Sequence, residues 1–173
     1  MEFGLKLGAN IQGVSGSDTT IVHDYKPGIT GGFFVGMYKK KVGVRIEVLA
    51  ATSRYTFRTL TDSLGNKADF RAIFLDIPIM FEYRVSPKFM IMAGPQYNSL
   101  LSIKATNDFA GDVKALLKQG EFAATIGVEG KVFKNISVGG RYVYGFTNLN
   151  NNDATTDVWK TSTIHLYAAY SIK

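Results

Sequence analysis

The chain has 173 residues, 46% apolar and 20% charged, with 18 glycines and no cysteine. Its formal charge is +6, and the one basic run, Lys39-Lys40-Lys41, is too short to make a nucleic-acid surface. These values exclude a disulfide framework, a thiolate metal site and a cysteine nucleophile, and no apolar stretch approaches the ~20 residues of a membrane-spanning helix.

Alternation with a period of two runs through the chain and predicts eight strands. The first has Phe3, Leu5, Leu7, Ala9 and Ile11 on one face, with Gly4, Lys6, Gly8 and Asn10 on the other. A long connection around 15–26 leads to the second, marked by Phe33, Val35 and Met37. After a tight turn at 39–41 come Val42, Val44, Ile46, Val48 and Ala50; Tyr55 and Phe57 break this parity and predict an irregularity near the far end. A second long connection, around 58–69, precedes Ile73, Leu75, Ile77, Ile79, Phe81 and Tyr83. The turn at 84–88, with Pro87, opens a fifth strand at Phe89, Ile91 and Ala93. In the third long connection, 107–119, Val113, Leu116 and Leu117 have the spacing of a turn or two of helix. Phe122, Ala124, Ile126 and Val128 form the sixth strand, a turn follows at 133–135, and Ile136, Val138, Tyr142 and Tyr144 form the seventh. Beyond a fourth long connection, 148–160, lie Ile164, Leu166, Ala168, Tyr170 and Ile172. Pro78 and Pro95 each remove a ladder hydrogen bond inside a strand, so bulges are expected there.

Long and short connections alternate strictly, so in an antiparallel meander all the long ones share one end. Membrane barrels have this asymmetry, with short turns on one side and longer loops on the other, and eight strands suffice to close one. Three features point the apolar face outward. The opposite face is rich in glycine, which a solvated strand gains nothing from but a cramped lumen needs. That face also carries charges of both signs at strand-interior positions. Finally, the outward aromatics gather in two sets: Phe3, Phe81, Tyr83, Phe89 and Tyr170 towards the short turns, and Tyr97, Phe122, Tyr142 and Tyr144 towards the long loops. Aromatic girdles of this kind belong at the two bilayer interfaces. The fold class read from the sequence is therefore all-β: an eight-stranded, antiparallel, up-and-down transmembrane β-barrel. It is expected to be one domain over residues 1–173 and a monomer, with no signal peptide at the start of this chain.

Several stretches have a family pattern: Phe74-Leu75-Asp76-Ile77-Pro78-Ile79, Gly94-Pro95, Gly139-Gly140-Arg141-Tyr142 with Gly145, and the opening Gly4-Leu5-Lys6-Leu7-Gly8-Ala9-Asn10. On these the chain resembles the PorT-like outer-membrane β-barrel proteins typical of Bacteroidetes, and more loosely the OmpA-type and OmpX-type barrels. The resemblance covers nearly the whole length strand by strand, and it implies a bacterial outer-membrane location. One member of that family is tied to a secretion system, a role the matching residues do not carry over.

The chemistry-bearing residues concentrate on the inward face. Lys6, Arg45, Glu47, Asp76, Glu129 and Arg141 are expected to form a lumenal ion-pair network of structural character, with Glu129 diagonal to Arg141 across a tight turn. A gate or proton path is the functional counterpart of that network. The two histidines are His165, facing inward, and His23, in the first long connection beside Asp18, Asp24, Ser15 and Ser17. Neither has the spacing that general-base work demands, so no catalytic, cofactor or metal site is expected and the chain is read as not an enzyme. The glycines of 28–32 lack the helix and the Lys-Ser/Thr of a phosphate-binding loop.

The expected role is a structural or binding scaffold without a wide pore, acting through long extracellular loops. Its expected partners are outer-membrane lipid, lipopolysaccharide and a protein or surface ligand at those loops. Two other readings are a soluble lipocalin-like barrel carrying an apolar ligand and a lipid A-modifying outer-membrane enzyme.

Overall fold

The structure is a computed structural model that describes residues 1–15, 26–58, 67–105, 119–147 and 160–172. Eight strands form: β1 (Glu2–Ser15), β2 (Lys26–Lys39), β3 (Val42–Arg58), β4 (Lys67–Ser86), β5 (Phe89–Ala105), β6 (Gly120–Lys131), β7 (Ile136–Gly145) and β8 (Lys160–Ile172). Each pairs antiparallel with its sequence neighbours, and β1 closes on β8 from Phe3↔Ile172 to Ser15↔Lys160. Closure leaves no sheet edge, so every strand finds partners on both sides. The long connections, His23 and the helical spacing at 113–117 lie outside the described residues.

The hydrophobic pattern dictates which face turns where. Leu5 and Ile126 are 57% and 63% exposed, whereas Arg45 and Glu47 are 1% and 0% exposed. This is the reverse of a lipocalin-type barrel, which would keep its apolar side chains around an internal ligand. Seven strands, of 12 to 20 residues, exceed the ~9–11 that cross a bilayer, and β7, with 10, matches it. Because β2–β3 and β4–β5 are joined by two-residue turns, the extra length of β3, β4 and β5 extends towards the long-connection end.

Glycines give the lumen its room. Directly across from three large inward aromatics stand glycines: Gly4 opposite Phe34, Gly43 opposite Tyr38, and both Gly8 and Gly139 opposite Tyr167. A Cβ added at Gly139 would meet the Tyr167 ring tip at 2.6 Å and the Val128 carbonyl oxygen at 2.7 Å. Phe34, Tyr167 and Ala169 thus pack as a small buried cluster inside the barrel.

The prolines behave differently from the expectation. On β4–β5 the register is the same at Pro78↔Gln96 and at Phe81↔Ala93, and the shifts fall instead between Ile73 and Phe74 and between Arg84 and Ser86. Each proline interrupts a ladder without inserting a residue. The β3–β4 pairing skips Pro78 between Leu49↔Asp76 and Ile46↔Ile79, and the β4–β5 pairing skips Pro95. A missing N–H removes a bond; only an extra residue changes register. The irregularity predicted near the end of β3 is likewise not in its pairing with β4, which keeps one register through Arg58↔Lys67. The nearby shift belongs to β5, where Leu101 is the unmatched residue.

Candidate functional site

The centre of the lumen is occupied by charge. Arg45 on β3 grips Glu129 on β6, with Nη1 donating to Oε2 at 2.8 Å and Nη2 donating to Oε1 at 3.4 Å. Its Nη2 also donates to the Tyr38 hydroxyl at 3.0 Å, and its guanidinium lies 4.5 Å from the Phe34 ring centroid. Arg45 Nε stands 2.8 Å from Glu82 Oε1, an ion-pair contact without hydrogen-bond alignment.

Glu47, also on β3, accepts from two cations at once. Arg141 Nη1, from β7 on the far wall, donates to Oε2 at 2.7 Å, and Lys6 Nζ from β1 donates to Oε1. The Lys6 ammonium also sits 4.0 Å over the Tyr167 ring. Tyr167 donates its hydroxyl proton to Glu129 Oε2 at 3.2 Å, linking the two halves. Three buried cations (Lys6, Arg45, Arg141) therefore share the mid-lumen with three buried carboxylates (Glu47, Glu82, Glu129). Buried charges are tolerable only in such mutual compensation, because each one costs several kcal/mol to strip of water.

Two expectations differ from the geometry. Glu129 does lie diagonal to Arg141 in register, since Gly127 pairs with Arg141 and Glu129 with Gly139. Yet Arg141 turns to Glu47 and Glu129 to Arg45, because Tyr167, seated over Gly139, takes the space beside Glu129. Asp76 is buried but higher in the lumen and makes no ion pair among the described residues.

Asp76 belongs instead to an upper polar chamber. Asn10, Gln96, Asn98, Glu121 and His165 line it, around a cavity of about 20 Å³, enough for a single water. There Gln96 donates to Asn98 at 2.6 Å, Asn98 donates to Glu121 at 2.9 Å, and Thr161 donates to the other Glu121 oxygen. His165 is buried with Nδ1 lacking a hydrogen-bond partner. No group of three metal-binding side chains occurs among the described residues. Sequence reasoning passed over Glu82, Glu121 and Tyr167, although alternation signals each: Glu82 falls between outward Phe81 and Tyr83, and Tyr167 between outward Leu166 and Ala168.

The lipid-facing surface completes the picture. Phe3, Phe81, Tyr83, Phe89 and Tyr170 are exposed towards the short turns, and Tyr97, Phe122 and Tyr142 towards the other end. The Tyr97 and Phe122 rings meet at 5.1 Å.

The family model for the outer membrane protein beta-barrel domain matches residues 1–151. The chain belongs to that family. As a family member with this inverted barrel, it resides in the bacterial outer membrane. Solved structures agree on the fold. The chain is similar to the outer membrane protein OprG of Pseudomonas aeruginosa, at 13% identity and TM-score 0.64, covering 99% of this chain and 95% of that one. It is also similar to Ail, the attachment invasion locus protein of Yersinia pestis, in complex with the heparin analogue sucrose octasulfate, at 15% identity and TM-score 0.59, with 99% and 98% covered. The third is Neisserial surface protein A, at 12% identity and TM-score 0.58, with 97% and 96% covered. No curated protein matches the chain in sequence.

Proposed function

We propose that this outer-membrane barrel is a sealed scaffold for its extracellular segments, non-enzymatic and without a solute pore. The single observation carrying this reading is the cross-lumen contact of Arg141 with Glu47, 2.7 Å long, in the middle of a charge-balanced network. An ion or solute would have to break compensated charges in a buried interior, which costs several kcal/mol. In planar bilayers the wild-type barrel is expected to give no conductance steps. Steps in the wild type that change with Arg141→Ala would replace this reading with a gated channel.

The lumenal set of Lys6, Arg45, Glu47, Glu129 and Arg141, with Asp76 above it, is read as structural. Burial of His165 away from any exposed rim supports the non-enzymatic reading over a lipid A-modifying one. The finer kinship to PorT-like barrels rests on the 4–10, 74–79, 94–95 and 139–145 patterns alone.

Binding is assigned to the long connections and the strand ends beside them, which mix Lys26, Arg58, Lys67, Lys114 and Lys118 with Asp18, Asp62, Asp108 and Asp153. Lipopolysaccharide phosphates or a surface partner would meet them there. Sucrose octasulfate, the ligand in the Ail complex, is a ready anionic probe. Saturable, salt-sensitive binding measured by calorimetry in detergent supports a polyanion ligand. No heat at any concentration contradicts it and leaves the scaffold reading standing.

A further inference from the structure

Charge sorts along the barrel axis. Of the 14 acidic residues, eight are aspartates in or beside the long connections: 18, 24, 62, 69, 108, 112, 153 and 157. Five more acids line the lumen (Glu47, Asp76, Glu82, Glu121, Glu129), which leaves Glu2 alone at the short-turn rim. That rim carries Lys39, Lys40, Lys41, Lys88, Lys131 and Lys134, all exposed. None of the six forms an ion pair among the described residues. Glu2 is already engaged, 3.7 Å from Arg84, whose guanidinium lies 4.1 Å from the Tyr38 ring centroid.

Depth decides what these lysines meet. The turns that bear them have only two to four residues between strands, so the ammonium groups stay close to the strand ends. Lys88 adjoins Phe89, Lys41 adjoins Val42, Lys131 adjoins Val132 and Lys134 adjoins Phe133, and these neighbours are all exposed apolar residues. A ring of ammonium groups just beyond an aromatic girdle lies at headgroup level. In outer-membrane barrels the short turns face the periplasm.

We propose that this rim is a binding surface for the anionic phospholipid headgroups of the periplasmic leaflet. Each lysine near an anionic surface adds attraction that falls off within a Debye length. A cell-wall polymer would require reach into the periplasm, which turns this short do not provide.

The test is lipid selectivity in nanodiscs, where both leaflets have the same composition and insertion direction is irrelevant. Association of spin-labelled phosphatidylglycerol is compared with spin-labelled phosphatidylcholine for the wild type and for a variant with all six lysines changed to glutamine. An unchanged heat-shifted band on unboiled gels shows that the variant is folded. The wild type is expected to favour phosphatidylglycerol several-fold, with the preference falling towards unity near 1 M salt, where screening acts within ~3 Å. The variant is expected to show no preference at any salt. Equal association of both labels with the wild type, or an undiminished preference in the variant, overturns the proposal. So does displacement of the label by excess soluble glycerol phosphate. Salt-sensitive sedimentation with isolated peptidoglycan in the absence of any lipid preference would assign the rim to the cell wall instead.

Discussion

Arg141 on β7 and Glu47 on β3 stand on opposite walls of an eight-stranded barrel and meet at 2.7 Å in its middle. Glu47 also holds Lys6, so one carboxylate compensates two buried cations. Changing Glu47→Ala leaves both unpaired and is expected to cost about 3–5 kcal/mol of stability. Arg141→Met, which leaves Glu47 still paired with Lys6, is expected to cost clearly less. Urea unfolding in phospholipid vesicles, followed by tryptophan fluorescence or the gel shift, ranks the two.

The facing of glycine and aromatic across the strands gives a steric prediction. Gly139→Ala puts a methyl group 2.6 Å from the Tyr167 hydroxyl and 2.7 Å from the Val128 carbonyl, and is expected to cost about 1–3 kcal/mol. Gly130→Ala, with no atom closer than 4.0 Å to the new carbon, is expected to be neutral within about 0.5 kcal/mol. The same unfolding assay distinguishes them.

Much of this architecture is written in the chain, and the reasons are physical. Period-two alternation survives wherever one strand face meets hydrocarbon and the other a packed lumen, so Phe3 to Ile11 and Ile164 to Ile172 could be assigned by counting. Lumenal pairing could not. Whether Glu129 meets Arg141 beside it or Arg45 from another wall depends on how the closed barrel brings distant strands together and on the bulk of Tyr167 between them. Asp76 reads as one more inward charge, and only register places it a layer above the ion pairs, beside Asn98. The prolines misled in a simpler way: a lost donor interrupts pairing, whereas the register shifts where Leu101 is added.

Lys40 is the one non-glycine residue with positive φ among the described residues, at 56°, in the two-residue turn between β2 and β3. Hairpins of this length give such positions to glycine. Lys40→Gly is expected to stabilise the barrel by up to about 1 kcal/mol, read as a higher urea midpoint with an unchanged slope.

A charge on the outer wall probes the bilayer itself. Ile126 is 63% exposed near the middle of β6, and Ile126→Lys is expected to cost about 2–4 kcal/mol in vesicles. Phe133→Lys, at the rim, is expected to cost about 1 kcal/mol or less.

The absence of native cysteine makes a direct test of orientation available. Single-cysteine variants at Leu5 and Ile126, and at their neighbours Lys6 and Thr125, can each carry a small fluorophore in vesicles doped with bromine-labelled phospholipid. Labels at 5 and 126 should react readily and be quenched by the lipid, while those at 6 and 125 should react poorly and escape quenching. Strong quenching at 6 and 125 with none at 5 and 126 would turn the barrel inside out and contradict the whole account.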